Sequence, residues 1–325
     1  MSDALDLRAL SPDAANRGAS SGDDTFPTYY EQPLLKRPHW GWEVVTYLFV
    51  GGIAGGSGML IALADRTAGE DAALARNARY LSLALAAASP VILIKHLGRP
   101  ERFHHMLRVV KFKSPMSMGV WGLIAFSAAS SRAALAQAAR DGLVPGWLAF
   151  LGPRWFTNPA QALVGAFLAG YTGVLISATA IPLWAKGKRH IPAASVCSGF
   201  GAACAANAAL LALRNEASDS QRKLERVELV AGLAELAILL DFRRSAGALG
   251  APMFDGARGR KLTNATLLGG IVLPALLNVL PFHPRWKTIA TSALTLFGGY
   301  ALRESFIEAG KTSADDPRAA FRQPE

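Results

Sequence analysis

The chain has 325 residues, 51% of them hydrophobic and only 18% charged, with a formal net charge of +10. Soluble domains carry nearer a quarter charged residues, so an ordinary water-soluble globular fold is excluded. Nucleic-acid binding is excluded as well, because the cations sit in short loops beside long apolar runs, which is the membrane pattern.

Residues 1–38 are polar, with scattered charges and prolines at Pro12, Pro27, Pro33 and Pro38, and read as a disordered tail. They hold no apolar core of the kind a secretory signal needs, so membrane insertion is expected to rest on the first span. At the end of the tail, Trp40 and Trp42 suit the headgroup level, with Lys36 and Arg37 in the adjacent water.

Eight apolar spans follow over residues 39–309. They run Val44–Ala64, Tyr80–Ile94, Met116–Ser131, Ala160–Trp184, Ile191–Leu213, Val227–Leu240, Leu262–Leu280 and Thr288–Leu302. Several are shorter than the ~20 residues of a straight membrane helix, so flanking amphipathic residues must extend them. The expected fold is an all-α integral membrane protein. The first span carries Gly51, Gly52, Gly55 and Gly56, two overlapping small-xxx-small pairs that let helix backbones approach closely where lipid gives no hydrophobic drive. Asp65 and Arg66, just after it, read as a solvated edge.

The second loop carries Lys95, Arg99, Arg102, Arg108, Lys111 and Lys113 against one acid, Glu101. Arg99 is expected either to cap the second helix or to pair with Glu101 across the turn forced by Pro100. The sixth span is the weakest, bounded by Glu228 and Asp241 with Glu235 inside. Residues 310–325 are again polar and read as a second disordered tail. With eight spans both termini share one side, which receives 22 of the lysines and arginines against 12 on the other. The positive-inside rule then puts both termini in the cytoplasm.

Four stretches together resemble one known family. WGWEVVTYLFVGGIAGGSGML, LGRPERF with SPMSMGVW, YTGVLISATAIPLW and GGYALRES stand in order between residues 40 and 305. They are similar to the NrfD/PsrC family, the polysulfide-reductase-type membrane subunits of respiratory oxidoreductases. The family commonly has an acid just before LGRP, where this chain has Lys95 and His96. The resemblance implies eight helices in two four-helix bundles. It also implies that the subunit binds a quinone (menaquinone or ubiquinone) and exchanges electrons with a docked ferredoxin-like iron–sulfur subunit. Through that subunit it would serve a catalytic subunit that is often molybdenum-dependent.

The residues add their own constraints. All six histidines lie at span ends or in loops, so axial haem ligation within the bilayer is not expected. Two cysteines, Cys197 and Cys204, cannot hold a four-thiolate cluster. No metal site is expected in this chain, and electrons must pass through an organic cofactor or a partner's cluster.

A quinone site needs an apolar slot, a hydrogen-bond partner at each ring oxygen and a proton acceptor. His39 and Glu43 lie four apart and would share a helix face at the mouth of the first span. Tyr171, beside Thr172 inside the fourth span, offers a phenol. Glu235 is the acid well inside an apolar run, and such residues mark a pathway or a pairing. A quinone-reactive redox subunit and a non-redox transporter or passive anchor both remain open at this point. A transporter would show corresponding broken helices in two halves.

Overall fold

The computed structural model describes residues 35–67, 70–152, 157–216, 218–280 and 284–321. Most of the expected N-terminal tail lies outside them. Every regular element among the described residues is helical. Helices α1 (Trp42–Ala64), α2 (Ala72–Lys95), α3 (Pro115–Arg140) and α4 (Thr157–Ser177) are followed by short α5 (Pro182–Lys186). Then come α6 (His190–Arg214), α7 (Ser218–Ala246), α8 (Gly256–Val279) and α9 (Arg285–Asp315). Five are long and apolar enough to cross a membrane: α1, α2, α4 from Asn158, α6 and α8.

Local chemistry sets the boundaries. Ser114 caps α3 by accepting from the Ser117 amide at 3.4 Å, Pro115 occupies the first helical position, and Ser117 Oγ accepts from the Lys111 amide at 3.0 Å. The SPMS tetrapeptide is therefore a helix start. Asn215 ends α6 in the left-handed region at φ 60°, which asparagine tolerates, and the Glu216 amide donates back to the Leu211 carbonyl at 3.0 Å. Within α8, residues 262–272 widen into a π-helix immediately before Pro274. Proline lacks the N–H that would close an α-turn and its ring crowds the carbonyl four residues back, so the upstream turns open.

Three expected boundaries are corrected. The fourth span is not continuous: α4 ends at Ser177 and α5 begins at Pro182, because proline suits a first turn and not a helix interior. The sixth span lies within α7, which runs 29 residues, well beyond Val227–Leu240. The last helix continues five residues past Gly310 to Asp315, and Pro317–Phe321 forms a further turn, so residues 310–321 are not a tail. Gly310 is buried under the Trp184 ring, and the Leu183 amide donates to Ser313 Oγ at 3.2 Å. Trp40 is half-buried and packs on the core. It stacks on buried Trp184 with ring centroids 5.0 Å apart.

Helix α1 is the axis of the packing, in contact with α2, α4, α6 and α9. Its glycines face two ways. Gly55 meets Gly165 of α4, where a Cβ on Gly165 would stand 2.5 Å from the Gly55 carbonyl oxygen. Gly52 and Gly56 face α6, where a Cβ on Gly56 would stand 2.7 Å from both the Gly199 carbonyl oxygen and the Ala203 Cβ. Gly51 faces the Thr172 methyl.

One end of the helices is tied by charge. Asp65 pairs with Arg79, whose Nη1 donates to Gln137 Oε1 at 2.8 Å, and Gln137 passes on to Asp141 Oδ1 at 3.0 Å. Asp65 is therefore a buried partner and not a solvated edge, whereas Arg66 is exposed. Nearby, Asp71 accepts from Ser220 Oγ at 2.6 Å and Lys223 Nζ at 3.1 Å, joining the start of α2 to the start of α7.

Burial by itself would raise the Asp71 carboxyl, but the Ser220 and Lys223 hydrogen bonds outweigh it and hold the group below the usual range. A carboxyl lowered on folding contributes stability above its unfolded pKa of about 3.9, and loses it as pH falls through the lower folded value. Asp71→Asn is therefore expected to melt below wild type at pH 7, with the gap narrowing toward pH 3. Thermal melts of the detergent-solubilised protein across that range check this. A gap independent of pH would remove the ionised clamp.

Candidate quinone pocket and buried polar core

Helices α1, α2, α3 and α4 enclose a small cavity of about 90 Å³ near the LGRP loop. Its polar lining is Tyr47, His96 and Tyr171, set among Met106, Met116 and Leu123. Gly119 on α3 makes the space for one phenol: a Cβ there would fall on the Tyr171 ring. The Tyr171 hydroxyl donates to the Pro115 carbonyl at 2.6 Å, which aims the ring and leaves the oxygen's lone pairs as acceptors. Tyr47 is 2% exposed and borders the cavity. A buried phenol that is both donor and acceptor needs a partner.

The cavity is smaller than the ~150 Å³ that holds a benzene ring. It adjoins a larger apolar groove of about 440 Å³, with Leu93, Met106, Val120 and Leu123 lining both. Methionine side chains re-pack at low cost. Met106 stands between the two spaces, with Phe103 and Pro90 on the groove side.

Of the expected quinone residues, the structure brings only Tyr171 to this cavity. His39 is exposed in the coil ahead of α1, so it shares no helix face with Glu43. The Glu43 carboxylate folds back over Gly41. Thr172 turns its hydroxyl to the Ala169 carbonyl at 2.7 Å and its methyl to Gly51, as a packing residue between α4 and α1. Arg99, Pro100 and Glu101 open the 3₁₀ helix Pro100–Leu107 and are exposed. Arg99 neither caps α2 nor pairs with Glu101 among the described residues. The α2 end is closed by its own backbone, with the His96 and Leu97 amides donating to Leu93 and Ile94.

A second polar cluster lies between α6, α7, α8 and α9. Arg303 is buried and donates from Nη1 to Ser198 Oγ at 2.8 Å and to the Gly299 carbonyl at 2.7 Å. Its Nε and Nη2 have no protein partner. Phe49 lies 5.6 Å from its guanidinium carbon, a cation–π contact. Glu235 and Ser198 line one small cavity beside this arginine. On the same helix, Glu228 accepts from Thr295 Oγ1 at 2.5 Å and Glu225 from Thr288 Oγ1 at 3.1 Å. Glu228, Glu235, Thr266, Thr295 and Asn278 border a cavity of about 30 Å³, roughly the volume of one water. The π-helical stretch of α8 forms its far wall through Thr266 and Gly270.

Sequence reasoning missed Tyr47, His96, Glu225, Glu228 and Arg303. Spacing held part of the signal. Glu225, Glu228 and Glu235 fall at i, i+3 and i+10, on one side of a helix, which is the pattern of a buried acidic stripe. Arg303 sat inside GGYALRES and read as the end of the last span.

Apolar helices of membrane-spanning length, packed through glycine seams around buried charge, define a multi-pass membrane protein. The family model described as polysulphide reductase, NrfD, matches residues 34–313, most of the chain. The protein belongs to the NrfD family. No curated protein matches the chain.

Proposed function

We propose that this protein is a quinone-reactive membrane subunit of a respiratory oxidoreductase. The carrying observation is the cavity bordered by Tyr47, His96 and Tyr171 and adjoining an apolar groove. It offers the head-group partners and tail slot that a quinone requires. The buried Tyr47 hydroxyl fits a ring oxygen at one side. The Tyr171 oxygen, its proton committed to Pro115, accepts from a ring hydroxyl at the other. His96 stands at the cavity edge, where a proton can pass to water.

A quinone, when bound, supplies two-electron, two-proton chemistry. The chain's own residues orient the ring, exclude water through Met106, Met116 and Leu123, and receive protons at His96. Electrons then leave to an iron–sulfur subunit docked on the membrane surface, and from it to a catalytic subunit of the molybdenum kind. In this reading α3, α7 and α9 join the five apolar helices to make eight spans. Two four-helix bundles, α1–α4 and α6–α9, are supported by the packing of α1 on α2 and α4 and of α6 on α7 and α9. The 22 to 12 cation asymmetry favours cytoplasmic termini in a bacterial inner membrane. Glu228, Glu235 and Arg303 form a polar track suited to moving protons through the second bundle.

Tyr47→Phe and Tyr171→Phe test the pocket, since each removes one hydroxyl and keeps the ring. Leaving a buried partner unpaired costs about 1–3 kcal/mol, a fall of roughly five- to a hundredfold in quinol turnover or inhibitor affinity. Steady-state quinol oxidation by the intact complex, with thermal stability as control, measures it. Unchanged turnover in both variants would remove the cavity from the quinone reading.

A further inference from the structure

A second groove, of about 640 Å³, lies on the other side of the Tyr171 ring, between α3, α4 and α6. Its floor is Phe167 and Val174 of α4, and its walls are Met118 of α3 and Pro192 and Val196 of α6. Two cations stand at its mouth: Lys113, just ahead of α3, and Arg189, just ahead of α6. Both are exposed, and neither forms an ion pair among the described residues.

We propose that this groove binds one anionic phospholipid, with its phosphodiester between Lys113 and Arg189 and an acyl chain along α4. The mouths of α3 and α6 each add the positive end of a helix dipole to the two side chains. Basic pockets between membrane helices suit anionic head groups. From Arg189 to Val196 is about 10 Å at 1.5 Å per residue, so the apolar walls descend from head-group level into the hydrocarbon. Phe112, 80% exposed at the rim, stands where aromatic side chains favour the interface. A quinone head is the poorer occupant. Below the cations the lining is apolar apart from the edge of the Tyr171 ring, so the groove offers no polar partner for the second ring oxygen.

Delipidated full-length protein, alone or in its complex, is titrated with phosphatidylglycerol or phosphatidylcholine of identical acyl chains and read by native mass spectrometry. At the usual strength of two basic residues near an anionic surface, phosphatidylglycerol is expected to bind roughly thirtyfold more tightly. The preference is expected to shrink as salt is raised. The double variant Lys113→Gln/Arg189→Gln should reduce it to the phosphatidylcholine level without lowering the melting temperature. Val196→Trp, which fills the groove and leaves the charges in place, should weaken both lipids. Equal binding of the two lipids by wild type, an unaltered preference in the double variant, or a quinone as the retained molecule would each overturn the proposal.

Discussion

Gly55→Val is expected to prevent the membrane domain from assembling. A Cβ on Gly55 would collide with the Gly165 carbonyl oxygen and stand 2.9 Å from the Ala169 amide nitrogen, and a Cβ on Gly165 would in turn stand 2.5 Å from the Gly55 carbonyl oxygen. Adding methylenes to a packed core costs about 1–3 kcal/mol when side chains can move aside. Here the obstructing atoms are backbone, so relief requires α1 and α4 to separate along their length. That separation would also shift Tyr47 and Tyr171, which lie on these two helices and share one cavity. Membrane-fraction yield and size-exclusion behaviour of the detergent-solubilised variant give the readout. Gly98→Ala is the matched control, because nothing lies within 4 Å of a Cβ at that position. A normally folded Gly55→Val protein would show that the close approach of α1 to α4 is not required.

Arg303→Leu is expected to be the most damaging change in the second polar cluster. The buried guanidinium holds Ser198 and the Gly299 carbonyl, and Glu235 borders the small cavity beside Ser198. Leaving buried polar groups without their charged donor costs about 1–3 kcal/mol each, and Ser198 and the Gly299 carbonyl both lose theirs. A double-mutant cycle with Glu235→Leu measures the coupling between the two residues. Glu235→Gln keeps shape and hydrogen bonding while removing titration. In reconstituted vesicles it is expected to leave quinol oxidation measurable while diminishing proton movement coupled to it. Full coupling in Glu235→Gln would assign the cluster to structure alone.

The helices were legible because lipid rewards apolar side chains whichever neighbour they meet. Long uncharged runs therefore mark the spans, and the Ser114–Pro115 start follows from backbone chemistry within four residues. The small-xxx-small glycines were legible for a similar reason. Only residues without side chains permit the approach seen between Gly55 and Gly165, and their spacing alone puts them on one face. Tyr171 could be singled out because a phenol within a span must find a partner.

The identity of each partner was decided elsewhere. Arg79 meets Gln137 across 58 residues of sequence, and Thr295 meets Glu228 across 67. Such pairings depend on how each helix is rotated about its axis, and a periodic pattern gives the apolar face without giving its neighbour. A residue just outside a helix escapes the periodic argument altogether. His39 and Glu43 were paired on a face that begins only at Trp42. Composition and spacing thus determined a helical membrane protein with a glycine-seamed core. The tertiary packing decided that Tyr47, His96 and Tyr171 share one cavity, because only side-chain contact across three helices can bring them together.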